Sequence, residues 1–141
     1  MADKQINNPA GAFPVGTATL GQELWQEGAP SQASTNVSAG FVVAINTLGQ
    51  VAHAATNNTA SLCLGVALHA ITALNTGLII VQGYVSGFAD GTINAGDIVK
   101  RSTNTAGYVA TTATPGVGES LAVAIAGSAS GRVDLWVSKG A

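Results

Sequence analysis

The side chains that could carry chemistry are few and widely spaced. The two histidines, His53 and His69, stand in Ala-rich segments with no carboxylate near them in sequence. A metal site or an acid–base pair would need partners from distant parts of the chain. Cys63 is the only cysteine, so neither an internal disulfide nor a cysteine-based zinc site is available. Gly118-Glu119-Ser120-Leu121-Ala122 resembles a nucleophile elbow, but that motif works on a tight strand-to-helix turn and Ser120 leads into a strand pattern. Asn94-Ala95-Gly96-Asp97 reads as a turn whose aspartate bonds the local backbone. With only Asp90 nearby it is too poor in oxygen ligands for calcium. No glycine-rich phosphate loop opens a helix. The sequence therefore predicts no catalytic residue, no cofactor and no metal.

Composition points the same way. Charged residues make up 9% of the 141 positions, against roughly 25% in an ordinary soluble domain. No Asp, Glu, Lys or Arg occurs between Gly28 and Ala89. Disordered chains are typically charged and poor in β-branched residues, whereas repeated Val, Ile and Leu runs mark this one as folded. Such a surface has little protection against association, which predicts that much of it is covered by other subunits or a partner. The net charge of −2 and the single adjacent basic pair, Lys100-Arg101, argue against nucleic acid. No apolar run approaches the ~18 residues of a membrane span. Met1 to Gln5 lacks a signal-peptide layout, so synthesis in a cytoplasm is expected, and the sequons at Asn36 and Asn57 carry little weight.

The elements that would position these residues are short strands. Residues 1–30 read as an N-terminal arm holding three of the four prolines. Residues 19–27 fit a short helix opened by a capping box, or a strand, equally well. From Val37 the chain repeats itself over units of about 37–85 and 93–138. Val37 to Val43 aligns with Ile93 to Val99, Gly49 to Ala52 with Gly107 to Ala110, Leu64 to Leu68 with Leu121 to Ile125, and Gly77 to Val81 with Gly131 to Leu135. The spacing of Leu64, Leu68 and Ile71 also suits a helix, but Gly127 cuts the matching segment to the alternation Leu121, Val123, Ile125, which favours strand in both. The expected fold is all-β: a small antiparallel sandwich or barrel of two similar strand units, residues 31–141, behind an extended arm.

Association is the function left. Phe13, Pro14, Val15, Leu20, Leu24 and Trp25 in the arm are costly to leave in water, since burying one large side chain is worth roughly 1.5–3 kcal/mol. These are the candidate partner-binding residues, and an extended segment can dock by adding a strand to a sheet edge.

From about Leu24 onward the layout resembles the capsid decoration (cement) proteins of tailed bacteriophages, the lambda-type head-decoration family. The resemblance rests on the turns Ser38-Ala39-Gly40 and Asn94-Ala95-Gly96, the strand Gly65-Val66-Ala67, the strand Ile80 to Val85, the Ala-rich strand Leu121 to Ala126 and the close Val133 to Val137. The long segment 1–23 departs from the family pattern. The resemblance implies a β-tulip-like fold and a homotrimer at local three-fold positions on an expanded icosahedral head. Its partners would be the major capsid protein and neighbouring trimers, its place the outer surface of the virion, and its task resisting the pressure of packaged DNA. The alternative is a receptor- or carbohydrate-binding module of a phage fibre or bacterial surface structure, for which the loop aromatics, Phe88 and Tyr108, are sparse. A small hydrolase using Ser120 or His69 is the third reading.

Overall fold

A computed structural model describes residues 26–56, 63–116 and 119–138. These form nine strands and, among the described residues, no helix: β1 Gln26–Gln32, β2 Val42–Ile45, β3 Val51–His53, β4 Cys63–Ala67, β5 Thr76–Phe88, β6 Ile98–Arg101, β7 Val109–Thr111, β8 Ala122–Ala124 and β9 Arg132–Ser138. All pairings between these strands are antiparallel. The sheet runs β3-β2-β4-β5-β9-β8-β6-β7, with β1 added on β5. Taken from its two ends, that order is the same path twice, β3-β2-β4-β5 and β7-β6-β8-β9.

The duplication extends to single hydrogen bonds. Gly40 donates to Ala67 and Ala67 back to Phe41, as Gly96 donates to Ala124 and Ala124 back to Asp97. Ala33 and Ala89 make parallel bridges to Val51 and Val109. Gly40 and Gly96 both hold positive φ, 84° and 91°, a conformation that glycine reaches without a Cβ penalty, and so the same tight turn feeds β2 and β6. The expected backbone role of Asp97 is present, its Oδ2 accepting the Asn94 N–H at 2.9 Å. One alignment shifts: Gly77 corresponds to Val133 rather than Gly131. Ala33 donates to Asn75 as Ala89 does to Gly131, so Gly131, at φ 75°, is a turn residue before β9.

Alternation puts the cores where the repeat predicts. Ala33, Val37, Val43, Val51, Ala67, Ile71 and Ile79 form the interior of the first unit. Six of these recur in the second as Ala89, Ile93, Val99, Val109, Ala124 and Leu135, within the larger cluster. At the seventh position Ile71 becomes Ser128, whose hydroxyl accepts the Ile93 N–H. The larger cluster also holds Val42, Val66 and Ile80, which alternate with the first unit's interior residues. The strands of unit 1 are thus buried on both faces, the second face packing on unit 2.

Strand β1 takes in the last part of the segment read as an arm, residues 26–30, and runs from Gln26 opposite Gly83 to Gln32 opposite Thr76. Its ladder breaks between Glu27 and Gly28, leaving Val81 as an extra residue on β5. Gly28 and Pro30 hide this strand in the sequence. Among the described residues β1 pairs only with β5, and an edge strand tolerates the absence of the N–H that proline lacks.

Equivalent core positions should respond alike. Ile79→Ala and Leu135→Ala, both at 0% exposure, are each expected to cost about 2–5 kcal/mol in urea unfolding. A loss below about 1 kcal/mol at either position would show that its unit is not closed around that side chain.

Candidate functional site

The residues singled out for chemistry stay apart. His69 is exposed beyond β4 and its ring Nδ1 lies 3.1 Å from the Ala70 carbonyl. Ser120 is exposed ahead of β8, and its neighbour Glu119 is already engaged, accepting the Gly116 N–H at 2.9 Å and facing Lys100 Nζ at 3.7 Å. That backbone bond first, and the lysine second, hold the Glu119 carboxyl below its ordinary range. Cys63 is buried. Asp90 accepts the hydroxyl of buried Ser102, which in turn accepts the N–H groups of Asn104 and Thr105, so this polar group braces the β6–β7 turn. Among the described residues no three His, Cys, Asp or Glu side chains gather as metal ligands. The arm candidates Phe13, Pro14, Val15, Leu20, Leu24 and Trp25 lie outside the described residues.

Two apolar constellations do form. The first gathers aromatics that are far apart in sequence. Phe41 enters β2 from the Gly40 turn, His53 ends β3, Phe88 ends β5 and Tyr108 precedes β7. The Phe41 ring centroid lies 4.4 Å from that of His53, 5.1 Å from Phe88 and 5.6 Å from Tyr108. Phe88 and Tyr108 stack at 5.4 Å, and the Arg132 guanidinium sits 4.2 Å from the Phe88 centroid, a cation–π arrangement. The cluster lies where the two units meet. Sequence reading found Phe88 and Tyr108 but could not join them to Phe41, because no local period links the three.

The second constellation is a row across four strands. Register sets Ile98 opposite Val123, Val123 opposite Trp136 and Trp136 opposite Tyr84, so these side chains share one face. Ile98 is 37%, Val123 40% and nearby Ile125 48% exposed. The equivalent row of unit 1, Val42, Val66 and Ile80, is at most 1% exposed. The repeat thus presents the same face twice, once covered and once open. At the end of the open row, burial and then the charge and hydrogen bond of Asp134 raise the Tyr84 phenol above its ordinary value.

No family model matches the chain, and no curated protein does. Among solved structures it is similar to the N base of the head fiber gp8.5 in bacteriophage phi29, at 20% identity and a TM-score of 0.59, over 81% of this chain and 95% of that one. At this identity the likeness concerns the fold.

His53 gives the aromatic cluster a pH signature. Its Nε2 accepts the Ser38 N–H at 3.0 Å, which requires that nitrogen to be unprotonated, and burial lowers its pKa from 6.5. The unfolded chain then takes up the proton first. The stability His53 contributes is complete above about pH 6.5, falls as the pH drops towards its lowered folded value, and levels off below that. Thermal midpoints measured from about pH 7.5 to 5 should decline, and His53→Gln should flatten the decline. An unchanged slope in the variant would remove His53 as the cause.

Proposed function

We propose that this chain is a structural protein of a tailed-phage head: a decoration protein that binds the major capsid protein on the outside of the expanded shell as a homotrimer and stabilises it. The observation that carries this reading is the shared fold with the base of a phage head fiber, which spans nearly all of that base. The nearly charge-free composition and the open apolar row of unit 2 support it, since both suit a protein that works through contacts with other subunits. The layout shared with the lambda-type head-decoration family supports the trimer and the shell. The arm, with Phe13 and Trp25, would supply a docking segment that joins the folded domain at the β1 edge.

A second reading, a fibre module that binds a receptor or carbohydrate, draws on the same neighbour, because that protein is itself a fiber base. The partly exposed Phe41, Phe88 and Tyr108 rings are the surface such a module would use. Copy number separates the two: hundreds per particle mean decoration, and a dozen or so mean a fibre.

Purified intact chain mixed with expanded, undecorated heads of the phage that encodes it should co-sediment to saturation and raise their resistance to heat. A chain lacking residues 1–25, which keeps β1 whole, is expected to bind more weakly. Equal binding by the two would remove the arm from the contact. No binding by the intact chain would overturn the decoration reading.

A further inference from the structure

The two units meet asymmetrically, and the contact between them is repeated in outline but left unfilled. In unit 1, the start of β2 and the end of β3 form a site that the turn before β7 occupies. Val42 donates to the Gly107 carbonyl at 2.8 Å, and Gly107 donates to the Ala54 carbonyl at 3.0 Å. Phe41 lies so close that any side chain at position 107 would overlap its ring.

The counterparts of Phe41, Val42, His53 and Ala54 in unit 2 are Asp97, Ile98, Thr111 and Thr112. Their backbone is built alike, Thr112 donating to Ile98 at 2.9 Å as Ala54 donates to Val42 at 2.8 Å. Here, however, these four residues and Ala113 meet at the surface, with Ala113 the fifth wall of the same cleft, a cavity of about 190 Å³. The turn that would fill it by repetition is that of unit 1, Asn46–Gln50. It is the counterpart of Ser102–Tyr108, each closed by an N–H to carbonyl bond of 2.8 Å between its end residues. This turn is unoccupied from outside: Leu48 is 80% exposed, and nothing described lies within 4 Å of a side chain built at Gly49.

Residue sizes are exchanged between the two versions. The filled site has the large Phe41 against the small Ala106-Gly107, and the open one has Asp97 and two threonines where Leu48-Gly49 would enter. The unit 1 turn is two residues shorter and carries leucine at its tip where its counterpart has alanine.

We propose that a second copy of this chain inserts its Asn46–Gln50 turn, led by Leu48, into the Asp97–Ala113 cleft of the first, repeating between chains the contact that joins the two units within one. Donor turn and acceptor cleft are different surfaces, so the contact is heterologous and closes into a ring when its rotation allows. Ile98 belongs both to the cleft and to the open row, so the same docking begins to cover that row. A ring of three rests on the proposed trimer; the contact itself needs only two copies.

The full chain carrying both Leu48→Cys and Ala113→Cys, treated with a mild thiol oxidant, should form covalent oligomers that end in a closed ring. Each single variant should not, Cys63 being buried. In light scattering the intact chain should associate with rising concentration, and Leu48→Asp should abolish this with no change in the thermal midpoint of dilute, monomeric protein, because the side chain is 80% exposed in the monomer. Absence of cross-links in the double variant, cross-linking by Leu48→Cys alone, or undiminished association of Leu48→Asp would each overturn the contact. Rings that form but do not bind heads would instead sink the decoration reading and leave the contact standing.

Discussion

The fold depends on the register of one strand. β5 is thirteen residues long and serves both units. Its first part pairs with β4 on one edge and β1 on the other, and its second part pairs with β9. Side chains alternate along it, so a slip of one residue would exchange Ile79 of the unit 1 interior with the face packed on unit 2 and turn Val85 out of the larger core. The Val81 bulge and the positive φ of Gly83, 109°, sit where pairing passes from β4 to β9. They let one strand change its partner without losing the alternation on either side. Because the units share this strand they cannot separate, and the face that unit 1 turns towards unit 2 is fixed.

That shared strand also explains what could be read from the sequence. The duplication was legible because core positions repeat by type: Val37 with Ile93, Val43 with Val99, Val51 with Val109. The strands of unit 1 read as continuous apolar runs, which is what burial on both faces produces. Strand β1 was not legible, since Gly28 and Pro30 carry no strand signal and pairing with β5 is its main support. The last pair of strands was misaligned by two residues because Gly77 and Gly131 look equivalent, whereas one lies inside β5 and the other turns into β9. The aromatic cluster was invisible for a different reason. It is made by tertiary contact between the ends of four segments, and no local pattern encodes it.

The lack of charge has a physical counterpart in the way polar groups are satisfied. The side-chain bonds found here run mainly to backbone: Asn46 accepts from Leu48 and Gln50, Ser102 from Asn104 and Thr105, Asp97 from Asn94. Short polar residues that close turns in this way need no ionised partner. Beside the Lys100–Glu119 pair, the turns are thereby held mainly by bonds to backbone that need no ion pair. Contacts built from such a surface respond weakly to salt, where exposed ion pairs would be screened within a Debye length of about 10 Å.

The divergence of the two units follows from the constraint set by β5. A duplicated unit begins with two identical faces, and burying one against its twin leaves the other without a cover. At the junction the large Phe41 of unit 1 stands where unit 2 has Asp97, and Leu68 packs against the larger core cluster where its counterpart Ile125 is 48% exposed. The open row of unit 2 is apolar, with Ile98, Val123, Ile125 and Trp136, although a sheet face left to water permanently would more usually carry polar side chains. The presence of those four residues beside a threonine-lined cleft fits the proposed cover by a second copy. Under the proposed trimer, several modest contacts made at once would hold firmly, since each one raises the effective concentration for the next.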